Sequence, residues 1–401
     1  MKIMVTGATL KQLEVECILS APQVYIQGIA SGAPAARLSQ KDAAAFMGHL
    51  DGMEATHNRI ETIFEHTRIN ERHLAYSLLE PGAASFLREH GTLETRMAMY
   101  ESHALPLAER VARAALEDAT CSASDIQLVV FVSSTGFVAP GVDAFLIRKL
   151  GLNLDTARHP VLFMGCAAAL VGLRIASDHV RAHPGNGALV VCLELSSLNA
   201  SLEDDLNDVI IHSIFGDGCA AVVLRSTKDQ ENIPKGRAIL HQQRSVLAPD
   251  TEEGIVLGIR DNGITCTLSR HLPEMIGNSL PSVTDGHLAA AGLTREDIDI
   301  WAVHPGGTKI LEAVQNSLSL KDNQLSHSWD VLKEYGNMLS CAVLFVLERH
   351  IYACRHGGNP KEAVEMTEHT AKIQNSNGKQ GLAFSFSPGI GTEMLHFEIG
   401  A

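Results

Sequence analysis

The stretch Val161-Leu162-Phe163-Met164-Gly165-Cys166-Ala167-Ala168-Ala169-Leu170 decides how this chain is read. Its first four apolar residues predict a buried strand. Gly165 predicts a sharp turn, and the Ala/Leu-rich run to about Val180 predicts a helix. A cysteine between strand and helix is placed like a nucleophile at an elbow. The helix N-terminus carries roughly half a positive charge, which favours thiolate over thiol. The placement matters because an unperturbed thiol, with a pKa of about 8.5, is only a few per cent ionised at neutral pH. A small cysteine packing as a hydrophobe would leave the same signature.

Working outward, two stretches repeat one another. Asp125-Ile126 leads into the apolar run Val129 to Val132 and the turn Ser133-Ser134-Thr135-Gly136. Asp297-Ile298 leads into Trp301-Ala302-Val303 and the turn His304-Pro305-Gly306-Gly307. Gly165-Cys166 and Gly336-Asn337 match at nearly the same offset, and each opens an apolar helix. Matches at one offset imply an internal duplication. Each half alternates strands with helices, so the expected class is layered α/β. Chance likeness between two α/β halves is the competing account.

A duplication packed about a pseudo-two-fold brings equivalent turns together. Cys166 then faces Asn337, with His304 near both. Thiol, imidazole and carboxamide supply a nucleophile, a base or donor, and an oxyanion donor. His304 ends an apolar strand before Pro-Gly-Gly, a backbone that lets a substrate approach. With 19 histidines in the chain, a packing or surface role is the bland alternative. Asn337 could equally be the cap of the helix that follows it.

The 401 residues are 45% hydrophobic, enough for a large core or two packed domains. Thirty-two Lys+Arg stand against 46 Asp+Glu, a net charge of -14, and no basic block occurs. That argues against nucleic acid as a partner. Eight scattered cysteines show neither CxxC pairs nor metal-ligand spacing, which points to free thiols in a reducing cytoplasm and no metal site. Residues 1–20 lack a signal-type apolar core, and the longest apolar run is too short to span a bilayer.

These motifs carry a resemblance. Gly165-Cys166, His304-Pro305-Gly306-Gly307 and Gly336-Asn337-Met338 resemble the signatures of type III polyketide synthases, the chalcone synthase superfamily. Phe215-Gly216-Asp217-Gly218 and Ser385-Phe386-Ser387-Pro388-Gly389 are similar to two further segments of that family, with Ser385 and Ser387 in place of two glycines. Ser133 to Gly141, Asn207 to Ser213 and Thr251 to Gly258 look most like the mycobacterial long-chain alkylpyrone synthases.

The resemblance implies the thiolase fold, a duplicated αβαβα layered sandwich. Residues 1–20 form an N-terminal extension, 21–236 the half bearing the nucleophile, and 237–401 the half bearing His and Asn. It implies a homodimer that needs no cofactor and uses acyl-CoA and malonyl-CoA directly. Cys166, His304 and Asn337 are the expected catalytic residues. Phe215, Gly306 and Gly307 are expected at the substrate, with Asp217 structural. Thr135, Ala139 and Ser196 match positions lining an acyl tunnel. Cys266 falls where plant chalcone synthases carry a bulky gatekeeper phenylalanine. Arg59 matches one position of the CoA-binding basic cluster, but Thr62 and His66 occupy the other two. The implied reaction is decarboxylative Claisen condensation of a medium- or long-chain fatty acyl starter to tri- or tetraketides such as alkylpyrones. Alkylresorcinol or phloroglucinol formation on the same site, or a carrier-dependent ketoacyl synthase, are the alternatives.

Overall fold

The computed structural model describes residues 21–80, 82–87, 91–199, 202–229, 232–356 and 378–400; the expected extension, residues 1–20, lies outside them. The strands are β1 Gln23–Gly32, β2 Arg37–Ser39, β3 Glu71–His73, β4 Ile126–Ser133, β5 Ala157–Leu162, β6 Gly187–Leu195, β7 Asp217–Thr227, β8 Ala238–Leu247, β9 Ile255–Arg260, β10 Gly263–Leu268, β11 Ile300–Val303, β12 Lys379–Ser387 and β13 Gly391–Ile399. The helices used below are α1 Gln40–Gly48, α2 His57–His66, α3 Leu93–Asp118, α4 Val142–Leu150, α5 Ala168–Ala182, α6 Leu206–Ile214, α7 Leu272–Ala290, α8 Thr308–Leu318, α9 Ser326–Tyr335 and α10 Ser340–His356.

Nine strands hydrogen-bond in the order β11-β12-β13-β8-β1-β7-β6-β4-β5. The order reads the same in both directions from the β8–β1 seam, where Val24 pairs Leu240 and Tyr25 pairs Ile239. β8 answers β1, β13 answers β7, β12 answers β6 and β11 answers β4. The duplication reaches the details. The short turns before β4 and before Ile298 carry the same capping box, Ser122 with Asp125 and Thr294 with Asp297.

Three apolar clusters define the five layers. α3 and α4 pack on the outer face of the N-terminal half through Val129, Phe131, Leu189 and Val191. α7 and α8 cover the outer face of the C-terminal half through Trp301, Val303 and Phe384. Between the halves lie α5 and α10, packed against Val130, Val190, Val222, Ala302 and Ala383. Because both faces of β6 are covered, Gly187–Leu195 is buried throughout. The central helices are likewise apolar all round where they start: every residue from 167 to 173 and from 340 to 347 is buried. This is the thiolase-type αβαβα arrangement.

The strand before Cys166 departs from expectation. β5 stops at Leu162 and forms one edge of the sheet, with Val161 its only buried residue. Among the described residues it pairs with β4 alone, so one side of its backbone stays open there. Pro160 is at home there, because an edge strand tolerates a missing N–H. In chain order α9 takes the corresponding place in the other half. It covers the opposite edge, where Ser328 Oγ donates to Val303 O at 2.7 Å and β11 is buried throughout.

Candidate active site

Two left-handed residues make the turn that presents Cys166. Phe163 has φ 62° and Gly165 φ 67°. A Cβ on Gly165 would sit 2.8 Å from Pro388 Cδ, so only glycine fits that conformation against that neighbour. Gly165 N–H donates to Ser134 Oγ at 2.8 Å, fixing the turn to the end of β4. Cys166 lies in a single 3₁₀ turn, Gly165–Ala167, just ahead of α5.

His304 follows β11, and its N–H donates to Phe384 O at 3.0 Å. The residue is 2% exposed, and neither ring nitrogen has a hydrogen-bond partner among the described residues. Both remain available to Cys166 or to a substrate. Asn337 follows Gly336, which has φ 70°. The Asn337 backbone is clamped from both sides: its N–H donates to Ile214 O at 2.8 Å, and its carbonyl accepts from Gly216 N–H at 3.0 Å. Its side chain does two jobs. Oδ1 accepts from Leu339 N–H at 2.8 Å, which is the helix-entry role the sequence allowed. Nδ2 donates to Gly306 O at 3.1 Å, joining the asparagine to the histidine's turn.

Cys166, His304 and Asn337 line one cavity together with Phe215, Gly306 and Cys266. Its remaining walls are apolar, among them Leu257, Leu268, Ile276, Ile310 and Phe386. The cavity measures about 50 Å³, room for a few waters and well below the roughly 300 Å³ at which small-molecule sites begin. Phe215 is placed by the C-terminal end of α6, and its carbonyl accepts from the buried Arg72 at 2.8 Å. Cys266 sits on the β9–β10 hairpin, where its carbonyl accepts from Asn207 Nδ2 at 2.9 Å.

The other expected site residues lie elsewhere. Gly307 caps α8 rather than lining the cavity. Thr135 and Ser196 also lie outside the lining. Thr135 Oγ1 is engaged by Glu194, and Ser196 Oγ is buried with no hydrogen-bond partner among the described residues. Ala139 and Arg59 are exposed, the latter on α2 beside exposed Thr62 and His66. Asp217 is structural, accepting from Ala75 N–H and from Ser197 N–H and Oγ.

Electrostatics correct one expectation. Burial, with help from Cys266 and Glu194, pushes the Cys166 thiol up, and the Asn337 hydrogen bond does not reverse it. Burial holds His304 down at about 3. Desolvation opposes the charge of the helix N-terminus and favours the uncharged form of both groups, thiol beside neutral imidazole. The sequence reading also passed over Glu194, a lone charge at the end of an otherwise apolar strand. It is fully buried and pushed up to about 7.

Fold and site together fit an acyltransferase, with a cysteine thiol from one half of the duplicated chain meeting an imidazole and an amide from the other in one cavity. The chain belongs to the chalcone and stilbene synthase family, the type III polyketide synthases. Residues 17–228 match the N-terminal domain of that family and residues 239–398 its C-terminal domain. The chain is 41% identical to the alpha-pyrone synthesis polyketide synthase-like Pks18 of Mycobacterium tuberculosis, over 93% of this chain and 91% of that protein. It superposes on PKS-I from the brown alga Ectocarpus siliculosus with a TM-score of 0.85 at 38% identity, covering 94% of this chain and 99% of the alga's. The C-terminal type III polyketide synthase domain of Steely1 from Dictyostelium gives 0.83 at 27% identity, covering 94% and 100%. Enzymes of this family use CoA thioesters. No helix among the described residues is long and apolar enough to cross a membrane.

Proposed function

We propose that this enzyme loads a medium- or long-chain fatty acyl group from acyl-CoA onto Cys166, extends it with malonyl-CoA and releases an alkylpyrone. The carrying observation is the shared cavity of Cys166, His304 and Asn337, walled by apolar side chains. As sulfur attacks the starter thioester, the neutral His304 imidazole takes the thiol proton and coenzyme A leaves as thiol. Malonyl-CoA then binds beside Phe215. Loss of carbon dioxide leaves an enolate, whose oxygen receives hydrogen bonds from His304 and Asn337. The enolate carbon attacks the acyl-sulfur carbonyl, forming a C–C bond and freeing the Cys166 sulfur. For each further round the extended chain passes from coenzyme A back to Cys166 sulfur, and after two or three rounds an enol oxygen of the chain attacks its own thioester carbonyl, closes the pyrone and expels the thiol.

A long starter needs more room than the cavity offers. The small side chains of Thr135, Ala139 and Ser196 are the reason to place that room on their side of the site, and each buried CH₂ there would contribute about 0.8 kcal/mol. Arg59 is proposed at the nucleotide end of CoA. The functional halves are taken as 21–236 and 237–401, with 1–20 as an extension. The exposed edge of β5 supports a homodimer, the seven free cysteines among the described residues support a cytoplasmic setting, and membership of the family is the reason to expect that no cofactor is required. The test is incubation with malonyl-CoA and a graded series of acyl-CoA starters, with no carrier protein, followed by mass spectrometry. Pyrones peaking at starters of about eight carbons or more are expected. Products only with carrier-bound substrates, or only from starters below about six carbons, would overturn the reading.

A further inference from the structure

We propose that Glu194 is a positioning residue whose carboxylate ties the turn of Cys166 to the helix that follows Asn337. Glu194 sits near the end of β6 with no exposed surface, and no ion pair to it occurs among the described residues. Its Oε2 accepts from Ser134 N–H at 2.9 Å and Thr135 Oγ1 at 2.8 Å; its Oε1 accepts from Ser340 Oγ at 2.6 Å. Ser134 and Thr135 belong to the N-terminal half, and Ser340 opens α10 in the C-terminal half. The two arms lead directly to chemistry. Ser134 Oγ holds Gly165 N–H, one residue before the nucleophile. Ser340 follows Leu339, whose N–H is held by Asn337 Oδ1.

Every contact delivers a proton to the carboxylate. Thr135 Oγ1 is itself an acceptor for Leu195 N–H at 2.9 Å, so its own proton points to Glu194. The cradle fits an anion, and a neutral acid or amide would push a hydrogen against donors. The titratable groups facing Glu194 are Tyr100 from α3, Cys192 on its own strand, Cys341 from α10 and Cys166, none of them basic. Its negative charge is also one cause of the raised Cys166 thiol. Glu194 thus organises the site at the expense of thiolate.

This inference deepens the proposed condensing role, and one arm of its test needs no polyketide activity. Glu194→Gln is near-isosteric. Expected are a fall of about tenfold or more in malonyl-CoA decarboxylation kcat with little change in KM, and a shift of the Cys166 alkylation midpoint to lower pH. That midpoint is read by mass spectrometry of the Cys166 peptide after iodoacetamide. Glu194→Asp should keep the wild-type midpoint, because the charge stays. An unchanged kcat, or a lower kcat with no acid shift of the midpoint, would overturn the proposal. Should Glu194→Gln fail to fold, Ser340→Ala removes one donor and keeps the carboxylate. Decarboxylation at the wild-type rate in that variant would equally overturn it.

Discussion

At the residue scale the site divides its labour. In the proposed mechanism only sulfur carries the acyl chain, so Cys166→Ala should abolish loading and product while some malonyl-CoA decarboxylation survives on His304 and Asn337. Product formation at the wild-type rate would remove Cys166 from the mechanism. Each enolate donor is worth about 10² to 10³ in rate, so His304→Gln should lose both loading and decarboxylation. Asn337→Ala should lose decarboxylation more than loading. It also frees Leu339 N–H and Gly306 O, so its stability should be measured alongside its rate. Cys166, His304 and Asn337 were legible because each sits in a turn with its own sequence signature, at an offset that repeats. Glu194 was not. A single acid at the end of Gly187–Leu195 looks like a surface residue until both layers are seen to cover the strand.

At the element scale, the turn at Gly165 and the β9–β10 hairpin set what the cavity can hold. An L-residue in left-handed conformation is strained by roughly 1 to 2 kcal/mol, and Gly165→Ala adds a contact with Pro388. A displacement of the sulfur near 1 Å can reduce rate by about 10². Gly165→Ala should therefore lower kcat far more than it lowers the melting temperature. Equal retention of both would mean the turn Pro388–Ile390 yields easily. On the hairpin, Cys266→Phe places a large ring against a cavity of about 50 Å³. The preferred starter should shorten while Cys166 still alkylates, measured by product profile across the acyl-CoA series. Strand β5 shows what sequence could not reveal at this scale. An apolar run predicts burial, but whether a strand is central or at an edge depends on partners distant in the chain.

For the whole molecule, buried histidines set the acid limit. Burial holds His287 and His396 at about 4, and His304 and His350 at about 3. Each is neutral when folded and would protonate near 6.5 when unfolded. The unfolded chain therefore binds more protons below that pH, so this stabilisation is complete above about 6.5 and is lost as pH falls toward 3. Asp217 at about 6 and Glu194 at about 7 oppose the trend, since a raised carboxylate favours the folded state on acidification. The histidines outnumber them. The urea midpoint should drop between pH 7 and pH 5; a flat or rising midpoint would contradict the assignment. The duplication itself was readable from the chain, because two halves built alike repeat their caps and turns. The replacement of an edge strand by α9 was not, because it breaks the repeat.

That broken repeat bears on how the proposed homodimer would assemble. A sheet with two open margins can recruit neighbours at both and grow without limit. Here one margin is sealed by α9 and the other, β5, is bare. In the proposed homodimer, a copy that docks this margin against the same margin of another uses the open sheet edge of the described residues, and a two-fold contact of that kind closes. Assembly in that proposed form would stop at two. Leu162→Lys on β5 should leave single copies in sedimentation velocity. Stripping α9 of its hold through Ser328→Pro should instead reveal species larger than two.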